Sequence, residues 1–417
     1  MCRAPCERLS GAVPNLIPKD LVSLLRRPPL PRFRSRLHDE RTATLIGTAL
    51  GVAFATAFLT GLVSHFLQHP PSWLAHHLPT RPYWGYRFTQ GLHVASGTAA
   101  IPLLLAKLWT VYPRLFAWPP LKSVAHALER LSILVLVAGA VFELVTGLLN
   151  SAQWYVWGNQ FPFVQTHYWV AWITVGALVV HLGVKAPAIA RGFRRPGEEL
   201  PELSELPELP EPAELPETHH VSRRAFIATT AVAAGTVTVA TVGQSVGSLR
   251  SVSVLSARDT GVGELGVPVN RTAGQAGITA AAVTSDWRLQ VGGGARGLSL
   301  SRQELAALPQ TSATLPIACV EGWSVDAHWQ GVRISDLMDL AGIAHDADVR
   351  VVSMEQNGAY AVMVMERQYV RDPAALLALR LNGRTLTLDH GYPARIIVPN
   401  RPGVLQTKWV QRMEAIV

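Results

Sequence analysis

The 417-residue chain is 49% hydrophobic and only 16% charged, with a formal net charge of +8. So apolar a composition excludes an ordinary soluble domain, and the length exceeds what one core usually supports, so membrane segments and more than one domain are expected. The basic excess lies beside apolar runs, which argues for membrane topology and against a nucleic-acid surface.

Residues 1–41 hold nine Arg or Lys, interrupted by Pro28, Pro29 and Pro31. They read as a disordered cytoplasmic tail in which Cys2 and Cys6 are reduced and incidental. Residues 42–192 contain four apolar stretches, at about 42–66, 89–111, 123–149 and 166–189. Each is long enough to cross a bilayer, since ~20 helical residues span ~30 Å. Trp73, Tyr83, Trp84 and Tyr86, between the first two, suit an interfacial belt. Arg114 and Lys122 sit between the second and third stretches; Lys185, Arg191, Arg194 and Arg195 accompany the end of the fourth, and the loop 150–165 has no basic residue. Both ends of this four-helix unit therefore face the cytoplasm.

Histidines inside membrane spans are uncommon and point to function. His167 and His181 are fourteen residues apart, which on a helix is about 21 Å along the axis and nearly the same face. That layout resembles four-helix b-type cytochromes holding two haems, with His93 pairing with His167 across an outer haem and His126 with His181 across an inner one; His65 competes for the outer place. The other reading is hydrogen-bonded, metal-free histidines at the span ends, which is favoured for His65, His69 and His126. Glu143, deep in the third stretch, either relays protons or faces a polar cavity, or is a hydrogen-bonded structural acid.

Residues 193–220 are rich in Pro and Glu and form an extended linker with no core. At 221–248, Ser222-Arg-Arg-Ala-Phe-Ile227 precedes an uncharged Ala/Val/Thr/Gly run, as in an internal twin-arginine signal, which export machinery reads on proteins folded around a cofactor. The alternative makes Arg223 and Arg224 simple inner anchors of a fifth helix. Either way the last domain, 249–417, emerges on the extracytoplasmic face of a bacterial cell membrane. It reads as a mixed α+β fold, with strands at 287–291, 349–353, 360–364, 384–388 and 394–398. Helices are expected at 301–307 and 335–341, each opening with a serine cap. Gly292-Gly-Gly294 reads as a tight turn. The fold class is thus an all-α membrane bundle of four spans plus an anchor helix, followed by an α+β domain.

In that last domain Cys319 has no nearby disulfide partner, and a lone thiol is either buried filler or chemistry. Cys319-Val-Glu-Gly-Trp-Ser is followed by Trp329-Gln-Gly-Val, Asp389-His-Gly-Tyr-Pro-Ala-Arg395 and Gln406-Thr-Lys-Trp409. These separated motifs, in this order over about 270–417, resemble the molybdopterin domain of the sulfite oxidase superfamily. The resemblance implies that the Cys319 thiolate ligates molybdenum and that Asn270, His390, Arg395, Thr407 and Lys408 contact the pterin or its phosphate. A soft thiolate suits such a metal, and Arg and Lys supply a planar fork and a point charge for an anion. The segment after Cys319 is similar to that of the periplasmic protein-methionine-sulfoxide reductase catalytic subunits. Sulfite oxidases instead carry an arginine at the place of Ser324, and a second, immunoglobulin-like domain that this chain is expected to lack. The expectation is a membrane-anchored enzyme performing two-electron oxygen-atom transfer on a sulfoxide-type substrate, exchanging electrons with quinone through its own helices. A haemless protein served by a separate redox partner, or a sulfite oxidiser, is the alternative.

Overall fold

A computed structural model describes residues 36–115, 123–154, 162–193, 221–260, 263–283, 286–356 and 358–416. The tail with Cys2 and Cys6, nearly all of the Pro/Glu-rich linker, Lys122, Arg194, Arg195 and part of the 150–165 loop lie outside them, as does the side chain of Arg114. Among the described residues five helices are long and apolar enough to cross a membrane. They are α1 (Glu40–Gln68), α2 (Gly85–Leu115), α3 (Val124–Ser151), α4 (Phe163–Phe193) and α5 (Arg223–Val242). Three start at side-chain caps, where an oxygen takes up an N–H that the first turn leaves without a partner. Asp39 accepts from Thr42 N at 2.6 Å, Ser123 from His126 N at 3.2 Å and Ser222 from Ala225 N at 3.1 Å.

Hydroxyls inside these helices bond back to their own backbone, as an apolar surround requires. Thr60 donates to Thr56 O (2.7 Å), Thr146 to Phe142 O (2.7 Å) and Thr174 to Val170 O (2.8 Å). Helix α1 lies against α2 and α4, α3 against α4, and α5 against α2. Small residues permit the close approaches: a Cβ on Gly192 of α4 would stand 2.8 Å from Thr44 Cβ of α1. Leu59, Leu105, Trp109, Leu134, Trp169 and Val179 point outward and exposed, an apolar girdle that water would not tolerate. Three ion pairs among the described residues gather at one end. There Arg223 pairs with Asp39, Lys185 with Glu129, and Arg191 Nε with Glu40 Oε2 at 3.2 Å.

At the opposite end sits the α+β domain, built on two five-stranded sheets. Its strands are β1 (Arg288–Gly292), β2 (Leu298–Ser301), β3 (Thr311–Ala318), β4 (Ser324–Arg333), β5 (Asp348–Ser353), β6 (Val362–Met365), β7 (Leu376–Leu381), β8 (Arg384–Thr385), β9 (Arg395–Ile397) and β10 (Val410–Ile416). The first sheet runs β2-β1-β10-β5-β6; the second runs β3-β4-β7-β8, with β9 also paired to β7. Only β1 and β10 pair in parallel among the described strands. Three short helices follow strands: α6 (Arg302–Ala307), α7 (Ile334–Leu340) and α8 (Arg367–Val370). Ser301 and Glu304 close a full capping box on α6.

The sequence reading needs four corrections here. Ser335 does not cap α7; Arg333 holds that place without a side-chain bond, and Ser335 Oγ donates to Asp336 Oδ1 at 3.2 Å. The strand expected at 384–388 shrinks to Arg384–Thr385, because the chain then turns to set His390, whose N–H reaches Thr387 O at 3.1 Å. Tyr360 lies in the turn before β6, where Ala361 N donates to Gly358 O at 3.0 Å. Finally β2, β3, β4, β7 and β10 had no expected counterpart. The glycine run is a turn, with Gly293 at φ +86° after β1.

The two units share one core. Leu67 at the end of α1, Leu78 and Tyr86 are buried together with Leu289, Leu337, Met365, Val398 and other residues of the first sheet and its neighbours. Polar contacts fix the same seam. Tyr86 N donates to Asn400 Oδ1 (2.6 Å), Asn400 Nδ2 to Pro79 O (2.7 Å), and Arg87 Nη1 to both Asp326 carboxylate oxygens (2.7 Å).

Candidate functional site

Strands β3 and β4 form a hairpin from Thr311↔Gly331 to Ala318↔Ser324, and its tip is Cys319–Trp323. Two backbone bonds close the tip: Cys319 N to Trp323 O at 2.8 Å, and Gly322 N to Cys319 O at 3.0 Å. Gly322 sits at φ +92°, where a side chain is strained, so glycine is what lets the tip turn this tightly. The thiol is thereby aimed into the second sheet's core beside Trp323 and Ile397, with 1% of Cys319 exposed. Burial first, then the nearby Glu321 charge, push the thiol well above its ordinary range. A metal would reverse that, since coordination deprotonates a thiol outright.

Around Cys319 lies a small cavity lined by Pro268, Asn270, Trp323, His390, Arg395 and Lys408, among others. The site residues expected from sequence, Thr407 excepted, converge there. Arg395, at the start of β9, donates from Nη1 to His390 O (3.1 Å) and from Nη2 to Gln406 O (3.3 Å), and stacks over the Trp329 ring at 5.1 Å. Lys408 Nζ donates to Arg271 O (2.8 Å) and Asp389 O (2.9 Å). Burial lowers Arg395 to about 9; burial, aided by the Arg395 charge, lowers Lys408 to about 7. His390 is also held below its ordinary value by burial; its Nδ1 meets Thr387 Oγ1 at 2.7 Å and its Nε2 meets Val267 O at 2.9 Å. Gly391, at φ +104°, lets Arg395 and Lys408 close in: a Cβ there would stand 3.1 Å from the Cβ of each. Thr407 is buried beside Lys408 with Oγ1 unbonded.

Three residues that the sequence did not single out belong here. Glu321 is buried, accepts from Trp323 Nε1 at 3.0 Å and from Gln153 just beyond α3, and is raised by burial. Tyr360 is raised above its ordinary value by burial first, and a Cys319 thiolate would raise it further. Glu321 stands inside the motif after Cys319 but carries no signal of its own, whereas Gln153 and Tyr360 find their side-chain partners, Glu321 and Gln68, more than a hundred residues away, where no motif marks them.

In the bundle, a second cavity of about 210 Å³ is lined by His65, His69, His93, Glu143, Thr146 and His167 together with apolar residues. The His93 and His167 rings lie 6.3 Å apart, centroid to centroid. His93 Nδ1 meets Ala57 O at 2.8 Å, and His167 Nδ1 meets Thr146 Oγ1 at 2.8 Å. His167 Nε2 lies 3.1 Å from Glu143 Oε2. His65 instead stacks on Tyr168 at 3.8 Å. His181 does not line this cavity; its charged neighbours are Lys107, Lys185 and Glu129. His126 lies beside Arg130, whose Nε stands 3.4 Å from His126 Nε2.

Residues 276–416 match the family model described as an oxidoreductase molybdopterin binding domain. The last domain is a molybdopterin-binding oxidoreductase domain. The matched stretch includes Cys319, His390, Arg395, Thr407 and Lys408, while Asn270 and the helical unit precede it. The chain is similar to the uncharacterised oxidoreductase YuiH of Bacillus subtilis, 31% identical over 31% of this chain and 64% of that protein. It is also similar to the mitochondrial sulfite oxidase of Drosophila melanogaster, 28% identical over 31% of this chain and 27% of that protein. A third relative is YedZ1 of Azospira oryzae, provisionally named a protein-methionine-sulfoxide reductase subunit, 30% identical over 26% of this chain and 41% of that protein. The chain thus spans less than two thirds of each relative's length.

The molybdopterin domain's own residues fit an anionic cofactor. Among the described residues neither Arg395 nor Lys408 forms an ion pair, and Arg395 Nε, Gln406 Oε1 and Thr407 Oγ1 are buried without partners. Two cations lining the thiol's cavity without an acid to pair with, one of them with an unpartnered Nε, are costly unless a ligand completes them. A phosphate-bearing group meets that need, and the soft sulfur of Cys319 suits its metal.

Proposed function

We propose that the chain is a membrane-anchored molybdopterin oxidoreductase that transfers an oxygen atom to or from a sulfoxide-type substrate. The observation that carries this is the convergence of Cys319, Asn270, His390, Arg395 and Lys408 on one cavity. In this reading Cys319 supplies the thiolate ligand, Arg395 and Lys408 hold the cofactor's anionic part, and His390, fixed by Thr387 and Val267, shapes the pterin's seat. When bound, the molybdenum cofactor supplies the two-electron redox centre and the oxygen acceptor or donor. For sulfoxide reduction the S–O bond breaks and the oxygen leaves as water, consuming two protons and two electrons; a quinol supplies both and becomes the quinone.

Sulfite is disfavoured as substrate because the place of the sulfite-oxidase arginine is Ser324, which is buried and gives its N–H to Gln244 O at 2.7 Å. The helices anchor the protein in a bacterial cell membrane with the charged ends inside, and the Ser222-Arg-Arg string addresses the catalytic domain to the twin-arginine export machinery and the outer face. A haem b between His93 and His167 would link quinone to the outer domain. Both Nδ1 atoms are anchored, which leaves the Nε2 atoms to ligate, the usual arrangement for metal-bound histidine. The haemless reading has its own support in Glu143, which already occupies His167 Nε2.

The deciding measurement is molybdenum content, by elemental analysis, of the purified protein and of Cys319→Ser. Stoichiometric metal in the wild type, lost or spectroscopically altered in the variant, supports the reading; a wild type without molybdenum from a cofactor-competent host ends it. An optical spectrum of the same samples tests the haem: a Soret band that His167→Ala abolishes supports it, and no band in the wild type leaves the haemless form.

A further inference from the structure

The loop that follows Cys319 takes several of its polar partners from outside its own domain. Val320 O accepts from Gln90 Nε2 of α2 at 3.0 Å and from Asn150 Nδ2 of α3 at 3.4 Å. Glu321 Oε1 accepts from Gln153 Nε2, and Gly322 O accepts from Ser245 Oγ, just past α5. Ser324 N donates to Gln244 O in the same segment. Thus three membrane helices, or residues directly following them, hold four of the five residues next to the thiol, Val320, Glu321, Gly322 and Ser324. Steric fit reinforces the bonds: a Cβ on Gly322 would lie 2.5 Å from Val94 Cγ2 of α2.

Val94 and Val320 both line the bundle cavity that holds His93 and His167, and among the described residues Val320 is the one from the outer domain that lines it. The cavity wall and the cysteine are therefore neighbours in sequence, about 3.8 Å apart from Cα to Cα.

We infer that Gln153, Ser245 and Gln90 are positioning residues for Cys319: the helical unit completes the hairpin tip, and through Val320 the tip joins the bundle cavity to the thiol. This rests on the molybdopterin reading above for its purpose, though the clasp itself is a property of the protein. The chemistry supports it. An unmade bond to a buried carbonyl or carboxylate costs its full desolvation, so a tip released from the clasp samples other conformations. A ligand sulfur must hold its direction closely for its metal, so the loss should be felt there first.

The test uses the full chain in detergent with Cys2→Ser and Cys6→Ser, so that Cys319 is the only thiol. In cofactor-free protein from a host lacking the pterin, the rate of Cys319 alkylation by N-ethylmaleimide reports tip opening. Gln153→Ala with Ser245→Ala should raise that rate at least about fivefold, the effect of losing one or two buried hydrogen bonds. Gln153→Lys with Ser245 intact keeps a donor for Glu321 and should stay near the wild-type rate. In molybdenum-loaded protein the double variant should shift the metal's paramagnetic resonance signal while Gln153→Lys leaves it in place. Equal alkylation rates in the wild type and the double variant overturn the inference, as does an unshifted signal; failure of Gln153→Lys to restore either readout marks general unfolding and overturns it as well. If the wild type binds no molybdenum, the functional reading falls separately, while the alkylation arm still decides the clasp.

Discussion

Lys408 shows how one residue can report on its own pocket. In the unfolded chain its ammonium keeps the proton to about pH 10.5; in the folded, cofactor-free protein burial, with the Arg395 charge, lowers that to about 7. Between those values the unfolded chain binds more protons, so stability rises with pH, by at most about 1.4 kcal/mol per unit. Below about pH 7 both states are protonated and that gain is absent. The melting temperature of cofactor-free protein should climb from about pH 7 to 9, and Lys408→Met should flatten the climb. A bound anion would reverse the preference by stabilising the ammonium, so cofactor should leave the loaded protein more readily as the pH rises through the same window.

At the scale of the element, the turn between β8 and β9 brings the two cations of the site together. Gly391→Ala would force a side chain into a left-handed backbone and within 3.1 Å of the Cβ atoms of Arg395 and Lys408. Purified Gly391→Ala should carry markedly less molybdenum than wild type while keeping its five-helix unit, read by elemental analysis and circular dichroism. The motif around this turn was legible because glycine, histidine and arginine at fixed spacing have few structural substitutes. Strands β7 and β10 were less so. Leu376–Leu381 is buried at all but one position, so it lacks the alternation that marks a half-exposed strand, and its Leu/Ala/Arg composition favours helix when read alone. The Ser301 cap of α6 was visible in advance, though not its reciprocal bond from Glu304, whereas Ser335 misled because a serine near a helix start is a cap only when the preceding backbone places it there.

For the whole molecule the long apolar helices among the described residues followed from hydropathy and the Ser222-Arg-Arg string, but the seam between the units did not. Its contacts join Gln, Asn, Ser and Arg side chains to backbone atoms or single acids hundreds of residues away, a pattern that no periodicity announces. Leu67, Leu78 and Tyr86 complete the outer core, each contributing about 1.5–3 kcal/mol if fully buried. A fragment of residues 249–417 produced alone should therefore melt lower than the same domain in the full chain and aggregate; scanning calorimetry and light scattering would show it.

Strand β10 occupies the middle of the first sheet, parallel to β1 on one side and antiparallel to β5 on the other, and it follows every other strand in the chain. During synthesis, β1 and β5 wait without a partner between them, and Lys408 arrives only two residues ahead of the strand that closes the sheet. Pairing β1 with β10 must also draw together segments more than a hundred residues apart, a slow closure in chain-entropy terms. The pocket around Cys319 accordingly comes into existence late, after translation of nearly the whole domain. Any cofactor seated on that pocket must then await β10, and the nascent chain needs protection from its own unpaired strand edges until β10 pairs.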